Sequence, residues 1–138
     1  ARREADTNRI EDQRTLFELK DDEMESRFAS TPSPRYYAVI FTSLIGGDDA
    51  GYDAMAQTLV ELAERQPGFL GIESTRGIDG LGITVSYWKD EQSIRAWKVE
   101  STHAVAQRTG IERWYKHYEL RIAKVERAYS GPQGRSVV

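Results

Sequence analysis

The amino-acid sequence predicts a single α+β domain with one four-stranded antiparallel sheet, preceded by a charged arm. Four segments rich in aromatic and β-branched residues alternate with two segments in which apolar residues recur every three or four positions. Glycine, proline and aspartate stand between these segments, where turns and helix caps are needed. With 138 residues, the chain has room for one core but not for two catalytic domains.

The arm spans residues 1–35 and carries seven basic and nine acidic side chains. Ile10, Phe17 and Met24 recur every seven residues in it, which is typical of a helix with one narrow apolar stripe. Such a helix lies on another surface. The sequence leaves open whether that surface is a neighbouring subunit, another partner or the arm's own domain. Two closely spaced prolines end the arm.

The predicted strands share aromatic and β-branched residues, and they span residues 36–43, 69–76, 82–88 and 115–129. The glycine-rich segment between the second and third strands opens no helix, so it predicts a hairpin and not a phosphate loop.

Two helices are predicted from the spacing of apolar residues. The first ends at Gln66-Pro67-Gly68, and its apolar face consists of Tyr52, Met55, Leu59, Leu62 and Ala63. Asp90 is the expected N-cap of the second helix. One side of that helix carries Ile94, Trp97, Ala104, Val105 and the aliphatic stem of Arg108.

The order strand, helix, strand, strand, helix, strand is the ferredoxin-like βαββαβ arrangement, in which both helices cover one face of the sheet. The other face would carry aromatic and β-branched side chains into water, so we expect a second copy of the chain to cover it. We therefore divide the chain into the arm at 1–35, the domain at 36–129 and a loose tail at 130–138.

The composition excludes several classes of site. Lysine and arginine number 19 against 22 aspartate and glutamate, for a net charge of −3, whereas a nucleic-acid-binding face needs an excess of basic residues. Cysteine is absent and there are two histidines, which argues against a thiolate or histidine-rich metal site. No apolar run approaches the roughly 20 residues that span a bilayer, and we find no signal-peptide pattern. We expect a cytoplasmic protein with neither a nucleic-acid nor a membrane partner.

Several stretches of the domain also match a known family. They are Tyr36–Ser43, Gln66-Pro67-Gly68-Phe69-Leu70-Gly71-Ile72-Glu73, Val85-Ser86-Tyr87-Trp88, Ala96-Trp97 and Trp114-Tyr115. Through them, residues 36–129 resemble the antibiotic biosynthesis monooxygenase (ABM-like) domains of the dimeric α+β barrel superfamily. The resemblance implies a homodimer whose two sheets form a barrel, with a pocket between sheet and helices in each subunit. Some members oxygenate polycyclic aromatic substrates without metal or flavin, others degrade haem, and many have no established activity.

Cofactor-free oxygenation of an aromatic or enol needs aromatic walls and a polar group that favours the anion of the substrate. Trp97 is a candidate catalytic residue, because the resemblance implies a pocket tryptophan at this point of the helix; packing in the core is the alternative. Four further aromatic side chains are expected to bind the substrate: Tyr37, Trp88, Trp114 and Tyr118. Trp88 is equally compatible with the subunit interface, and Trp114 with a cap over the core.

His103 is the candidate base or hydrogen-bond donor. At about 100° per residue it lies about 180° from Ile94, which on an unbroken helix is the solvent side. Ser101 and Thr102 are poor helix formers, and a break there would turn His103 toward the pocket.

Two other titrating side chains have structural explanations. His117 opens the last strand and suits a surface or an interface. Glu73 alternates with Phe69 and Gly71 in the second strand, and if buried it needs a partner, for which Arg121 is expected.

The haem-degrading members place a histidine ten residues after the tryptophan of the second helix and an asparagine near the end of the first strand. Gln107 and Thr42-Ser43 stand at those positions here, so a haem role is disfavoured, with His103 left open as a substitute ligand. We expect no metal and no cofactor.

The sequence therefore predicts a cofactor-independent monooxygenase acting on a small hydrophobic or aromatic metabolite. The alternative from another class is a non-catalytic dimeric binding or assembly module that the arm docks to a neighbour. Haem binding or degradation is the third possibility.

Overall fold

The structure is a computed structural model that describes residues 27–47, 49–106 and 114–132. Its elements in chain order are β1 (Tyr36–Ile45), α1 (Tyr52–Glu64), β2 (Phe69–Arg76), β3 (Leu81–Trp88), α2 (Glu91–Ala106) and β4 (Tyr115–Val125). The four strands form one antiparallel sheet in the order β2-β3-β1-β4. The predicted ferredoxin-like α+β fold is confirmed.

The last strand is shorter than predicted. It ends at Val125 and not at Tyr129, because Val125 pairs with Tyr36, the first residue of β1, and in the described part of the chain no strand pairs with β4 beyond that point. The predicted apolar stripe of the arm, at Ile10, Phe17 and Met24, lies outside the described residues, as do Gln107 and Arg108.

The start of α2 follows from its capping residue. The Asp90 carboxylate accepts hydrogen bonds from the Ser93 backbone N–H at 2.8 Å and the Ser93 hydroxyl at 2.7 Å, which confirms the predicted N-cap. These two bonds lower the pKa of Asp90. Gly68 packs directly against this cap, where a Cβ would come within 2.0 Å of the Ser93 hydroxyl oxygen. The close approach requires glycine there.

The core lies between the helices and the β1–β3 part of the sheet. Val39, Ala63, Trp88 and Ile94 form its buried cluster. The two helices pack over β2 and β3, whereas β4 pairs along one edge with β1 and is exposed from Lys116 to Lys124. One edge of the sheet therefore extends beyond the cover of the helices.

The face of the sheet away from the helices, called the open face below, is covered at one end by the chain that precedes β1. The backbone N–H of Ala29 donates to a Glu73 carboxylate oxygen at 3.1 Å, and Thr31 hydrogen-bonds the Tyr36 hydroxyl at 2.9 Å. The described end of the arm thus lies on its own domain. Among the described residues, no helix combines the length and apolar character needed to cross a membrane.

Candidate functional site

Strand pairing assigns each side chain of β1 and β4 to one face of the sheet. Val39 belongs to the core under the helices, and it pairs with Ile122. Residues directly opposite in an antiparallel pair project to the same side, so Ile122 also faces the helix side. By the same register, Leu120 lies beside Phe41 and Tyr118 beside Ser43.

This arrangement exposes a row of large apolar side chains on the helix side of the sheet. Tyr118, Leu120 and Ile122 are 57, 53 and 51% exposed. Together with Tyr37 and Phe41 on β1 they form a surface that we call the apolar floor. Exposed apolar area grouped in this way is typical of a binding surface.

Trp97 stands on α2 and packs against the core cluster. Its indole ring is stacked on that of Trp88, with centroids 5.7 Å apart and an angle of 24° between the planes. Trp88 is completely buried, and its Nε1–H donates to the Ser86 hydroxyl at 2.8 Å. Trp88 therefore lies behind Trp97 as a support, and it presents no surface to a ligand.

A second aromatic group borders the other end of the apolar floor. The Tyr115 ring packs edge-on against Phe41 and against Tyr118, with centroids 5.5 and 5.9 Å apart. Tyr52 of α1 packs edge-on against Tyr115 and Trp114. Trp114 is buried, and its Nε1–H donates to the Ala50 carbonyl at 2.9 Å. Like Trp88, Trp114 supports the site from behind.

A half-buried guanidinium holds this end of the site together. Arg76 reaches across β3, where Gly82 leaves room for it, and donates to the Ser43 hydroxyl at 2.6 Å and the Tyr52 hydroxyl at 3.1 Å. Further hydrogen bonds go to the carbonyls of Ser43, at 3.1 Å, and Gly80. All of these acceptors are neutral, and among the described residues Arg76 forms no ion pair with a carboxylate, although Asp49 and Asp79 line the cleft next to it.

The Tyr115 hydroxyl donates to the Tyr52 hydroxyl at 3.4 Å. Burial is the main cause that raises the pKa of Tyr115, and the hydrogen bond to Tyr52 adds to it. Tyr115 is therefore a neutral donor at any physiological pH. The Tyr52 oxygen accepts from both Arg76 and Tyr115, which leaves its own proton to donate elsewhere.

The candidate base lies away from these groups. α2 continues without interruption through Ser101 and Thr102, and His103 is exposed on it. The helix break that would have turned His103 toward the sheet is absent from this part of the chain. His117 is exposed on the open face, where its imidazole lies 3.0 Å from the Glu119 carboxylate.

The expected pairing of Glu73 with Arg121 is wrong. A β-bulge between Phe69 and Gly71 breaks the alternation along β2, so Phe69 faces the helices while Glu73 faces the open side. Arg121 faces the open side too, but β3 and β1 separate the two strands, which places them roughly 14 Å apart. Glu73 instead accepts from the Tyr87 hydroxyl and from the Ala29 backbone.

The sequence interpretation missed Arg76, Tyr52 and Tyr115 as members of the site. Their side chains come from three separate elements, and their convergence depends on the bulge that turns Arg76 to the helix side. One available signal was Gly82, a glycine within a strand, because such a residue often marks the close approach of another group.

A separate cleft of about 370 Å³ opens at the end of the sheet, between the end of β1 and the β2–β3 hairpin. Its walls carry cations at Arg76 and Lys116 and carboxylates at Asp49 and Asp79. This cleft does not include the apolar floor, and its mixed charges favour no one class of ligand.

The sequence is similar to one protein family and to two relatives from other organisms. Residues 35–109, more than half of the chain, match the family model for antibiotic biosynthesis monooxygenase. The chain is 48% identical over 99 residues to the uncharacterised protein YqjZ of Bacillus subtilis, which covers 72% of this chain and 87% of YqjZ. A shorter match, 35% identical over 46 residues, covers 33% of this chain and 21% of the jasmonate monooxygenase ABM of Pyricularia oryzae.

The fold is similar to that of SnoaB, a cofactor-independent oxygenase from Streptomyces nogalater. The TM-score is 0.54 at 14% sequence identity, over 69% of this chain and 97% of SnoaB. At this identity the likeness concerns the fold alone.

Proposed function

We propose, because the chain belongs to the antibiotic biosynthesis monooxygenase family, that it is a cofactor-independent monooxygenase of a small hydrophobic or aromatic metabolite. The observation that carries this proposal is the exposed apolar floor with a cationic, hydroxyl-bearing group at one end. A flat apolar substrate with one ionisable oxygen matches that combination.

Three of the predicted residues hold the substrate in this proposal. Tyr37 and Tyr118 contribute ring surface from the floor, and Trp97 packs from α2. Trp88 and Trp114 hold these rings in place from the buried side. Leu120 and Ile122 complete the apolar contact area.

The polar end favours the anion of the substrate. The phenol or enol proton leaves to water, and the Tyr52 hydroxyl donates to the resulting oxyanion. Hydrogen bonds that Tyr52 accepts from Arg76 and Tyr115 strengthen the one it donates. The nearby guanidinium charge acts in the same direction, as fixed donors and charges do in oxyanion sites.

The substrate anion supplies the electrons for the reaction with O2. The ionisable oxygen of the substrate is conjugated to a CH2 carbon, as in an anthrone, so forming the anion has already removed one of the two hydrogens of that carbon. A carbon–oxygen bond forms there, and the peroxide takes up the proton released earlier. The second carbon-bound hydrogen then leaves as a proton while the O–O bond breaks. One oxygen atom stays as a carbonyl and the other leaves as water. Atoms and electrons balance without a metal, a flavin or an external reductant.

The subunit arrangement that we propose is a homodimer formed through the open face. Leu81 and Ile83 are 49 and 42% exposed there, and burying them against a second copy would remove apolar area from water.

The second candidate function is a non-catalytic dimeric assembly module. The observation that favours it is that His103, the candidate base, is exposed on α2 and lies away from the apolar floor. In this alternative the apolar floor would bind no substrate that is turned over. Haem binding, the third possibility, would produce a Soret band when haem is added to the protein.

The test is aerobic incubation of the purified protein with a panel of polycyclic phenols and anthrones, with oxygen uptake and product mass as readouts. We expect a product that has gained one oxygen and lost two hydrogens, with one label incorporated from labelled O2. Leu120→Glu, which places a charge in the apolar floor, should abolish the reaction, and Val99→Glu, at an exposed apolar residue of α2, is the matched control. Uptake equal to that of the buffer across the panel, with a folded dimer, would favour the assembly module.

A further inference from the structure

The open face holds a set of contacts that the oxygenase site does not use. Glu73 is a half-buried carboxylate on β2 with two hydrogen-bond donors, the Tyr87 hydroxyl at 2.5 Å and the Ala29 backbone N–H at 3.1 Å. One donor belongs to the sheet and the other to the segment before β1. Glu73 therefore ties that segment to the sheet.

Gly71 allows the segment to approach this closely. It lies two residues before Glu73 on the same face, and a Cβ at this position would stand 2.9 Å from the Ala29 Cβ. Any larger residue would push Ala29 outward. A third contact, between Thr31 and the Tyr36 hydroxyl, holds the following turn of the chain.

The consequence is seen in the exposure of the sheet. Tyr36 and Ala38 both face away from the helices, yet they are only 4 and 5% exposed. The attached segment and the Tyr87 ring cover this end. At the other end of the same face, Leu81 and Ile83 remain in contact with water.

We infer that segment 27–33, attached through Glu73, forms part of the surface that receives a second copy of this chain. The inference rests on the homodimer proposed above. The segment adds to the open face an exposed apolar side chain, Phe28, directly before Ala29. The dimer surface thus has two parts, which we call the composite surface: the exposed residues Leu81 and Ile83 of β3 at one end and the attached segment 27–33 at the other.

A second copy fits the charges at the rim of this surface. β4 presents Glu119 and Arg121 on the open face, two exposed side chains of opposite sign. In a two-fold interface the same surface of each copy is in contact, so Glu119 of one copy can face Arg121 of the other, and the symmetry forms this pair twice. The exposed apolar side chains at both ends of the surface and the self-complementary charges at its rim favour a second copy over a partner of one net charge.

Two variants detach the segment by different routes in the full-length chain. Glu73→Ala removes the acceptor of the Ala29 N–H, and Gly71→Ala leaves that acceptor in place but adds a methyl group against Ala29. Ser74→Ala is the matched control, because Ser74 lies on the same strand and is exposed, but it projects from the helix side and so lies outside the proposed dimer surface. Amide hydrogen exchange at Ala29 reports attachment, and sedimentation equilibrium reports the dimer.

We expect the Ala29 amide to exchange about tenfold faster in both variants and the dimer dissociation constant to rise about tenfold, which corresponds to about 1.4 kcal/mol, since both changes weaken the attachment of the segment. Ser74→Ala should change neither. Faster exchange with an unchanged dimer would overturn the composite surface while leaving the homodimer intact. A monomeric wild-type chain would overturn both, and oxygen uptake, measured separately, tests the oxygenase proposal independently of either.

Discussion

The Trp88 indole lies stacked on Trp97 at 5.7 Å between ring centroids, with its own Nε1–H held by Ser86. Trp88 is completely buried and Ser86 is 8% exposed, so this hydrogen bond is closed to water. The position of Trp97 in the candidate site thus depends on the buried hydrogen bond between Trp88 and Ser86.

Ser86→Ala should therefore lower the free energy of unfolding by about 1–3 kcal/mol, because the buried indole N–H loses its acceptor. Urea denaturation measures the change. Ser74→Ala is the control, since Ser74 also projects from the helix side of its strand but bonds Thr84 in an exposed position. An equal effect of the two changes would mean that burial of the Trp88 bond contributes nothing.

Tyr52→Phe should reduce turnover about tenfold to a hundredfold, because it removes the hydroxyl proposed to stabilise the oxyanion. The ring, and with it the packing against Trp114, stays. The comparison is Tyr118→Phe, which keeps the floor and removes an exposed hydroxyl; its rate should stay close to that of the wild type. Steady-state oxygen uptake measures both, and equal rates for the two variants would remove Tyr52 from the mechanism.

Stability should fall as the pH rises above about 10. Burial raises the pKa values of Tyr87 and Tyr115 from the ordinary 10.0, so above that pH the unfolded chain releases protons that the folded chain retains. Unfolding is then favoured progressively up to the folded-state pKa values, while below pH 10 neither tyrosine contributes any slope. Urea midpoints between pH 8 and 11 would show this, and the double variant Tyr87→Phe, Tyr115→Phe should flatten the decline.

His103→Ala should leave turnover within about twofold of the wild type, since the imidazole is exposed on a continuous helix. The measurement is the pH dependence of oxygen uptake in both proteins. A tenfold loss together with a missing ionisation near neutral pH would restore the histidine as the base and would require α2 to change shape when substrate binds.

The fold was predictable because its signals are local. Strand β2 was placed at its observed bounds, Asp90 was identified as a cap, and the angle of about 180° between His103 and Ile94 matches the exposed position of the imidazole. Each of these depends on neighbouring residues only.

The site was less predictable because it depends on contacts between distant residues. Whether Trp88 is buried or faces a ligand depends on the helix that covers it, and the sequence of β3 is compatible with both. From the sequence, Arg76 is only the last residue of a strand. Its side chain can be assigned to the helix side only once the bulge in β2 is known. Glu73 was assigned to the wrong partner because the order of the strands depends on such distant contacts: β3 and β1 lie between β2 and β4.

That single extra residue at Leu70 also affects which changes of length β2 could accept. Because Phe69 and Gly71 pair with the adjacent residues Trp88 and Tyr87, deleting Leu70 would restore strict alternation without turning any other side chain of the strand to the opposite face. Deleting Ser74 would turn the side chains on one side of the deletion to the opposite face of the sheet, and Arg76 would lose its hydrogen bond to Tyr52. Relatives that differ in length at this strand should therefore carry their insertion or deletion at the position of Leu70.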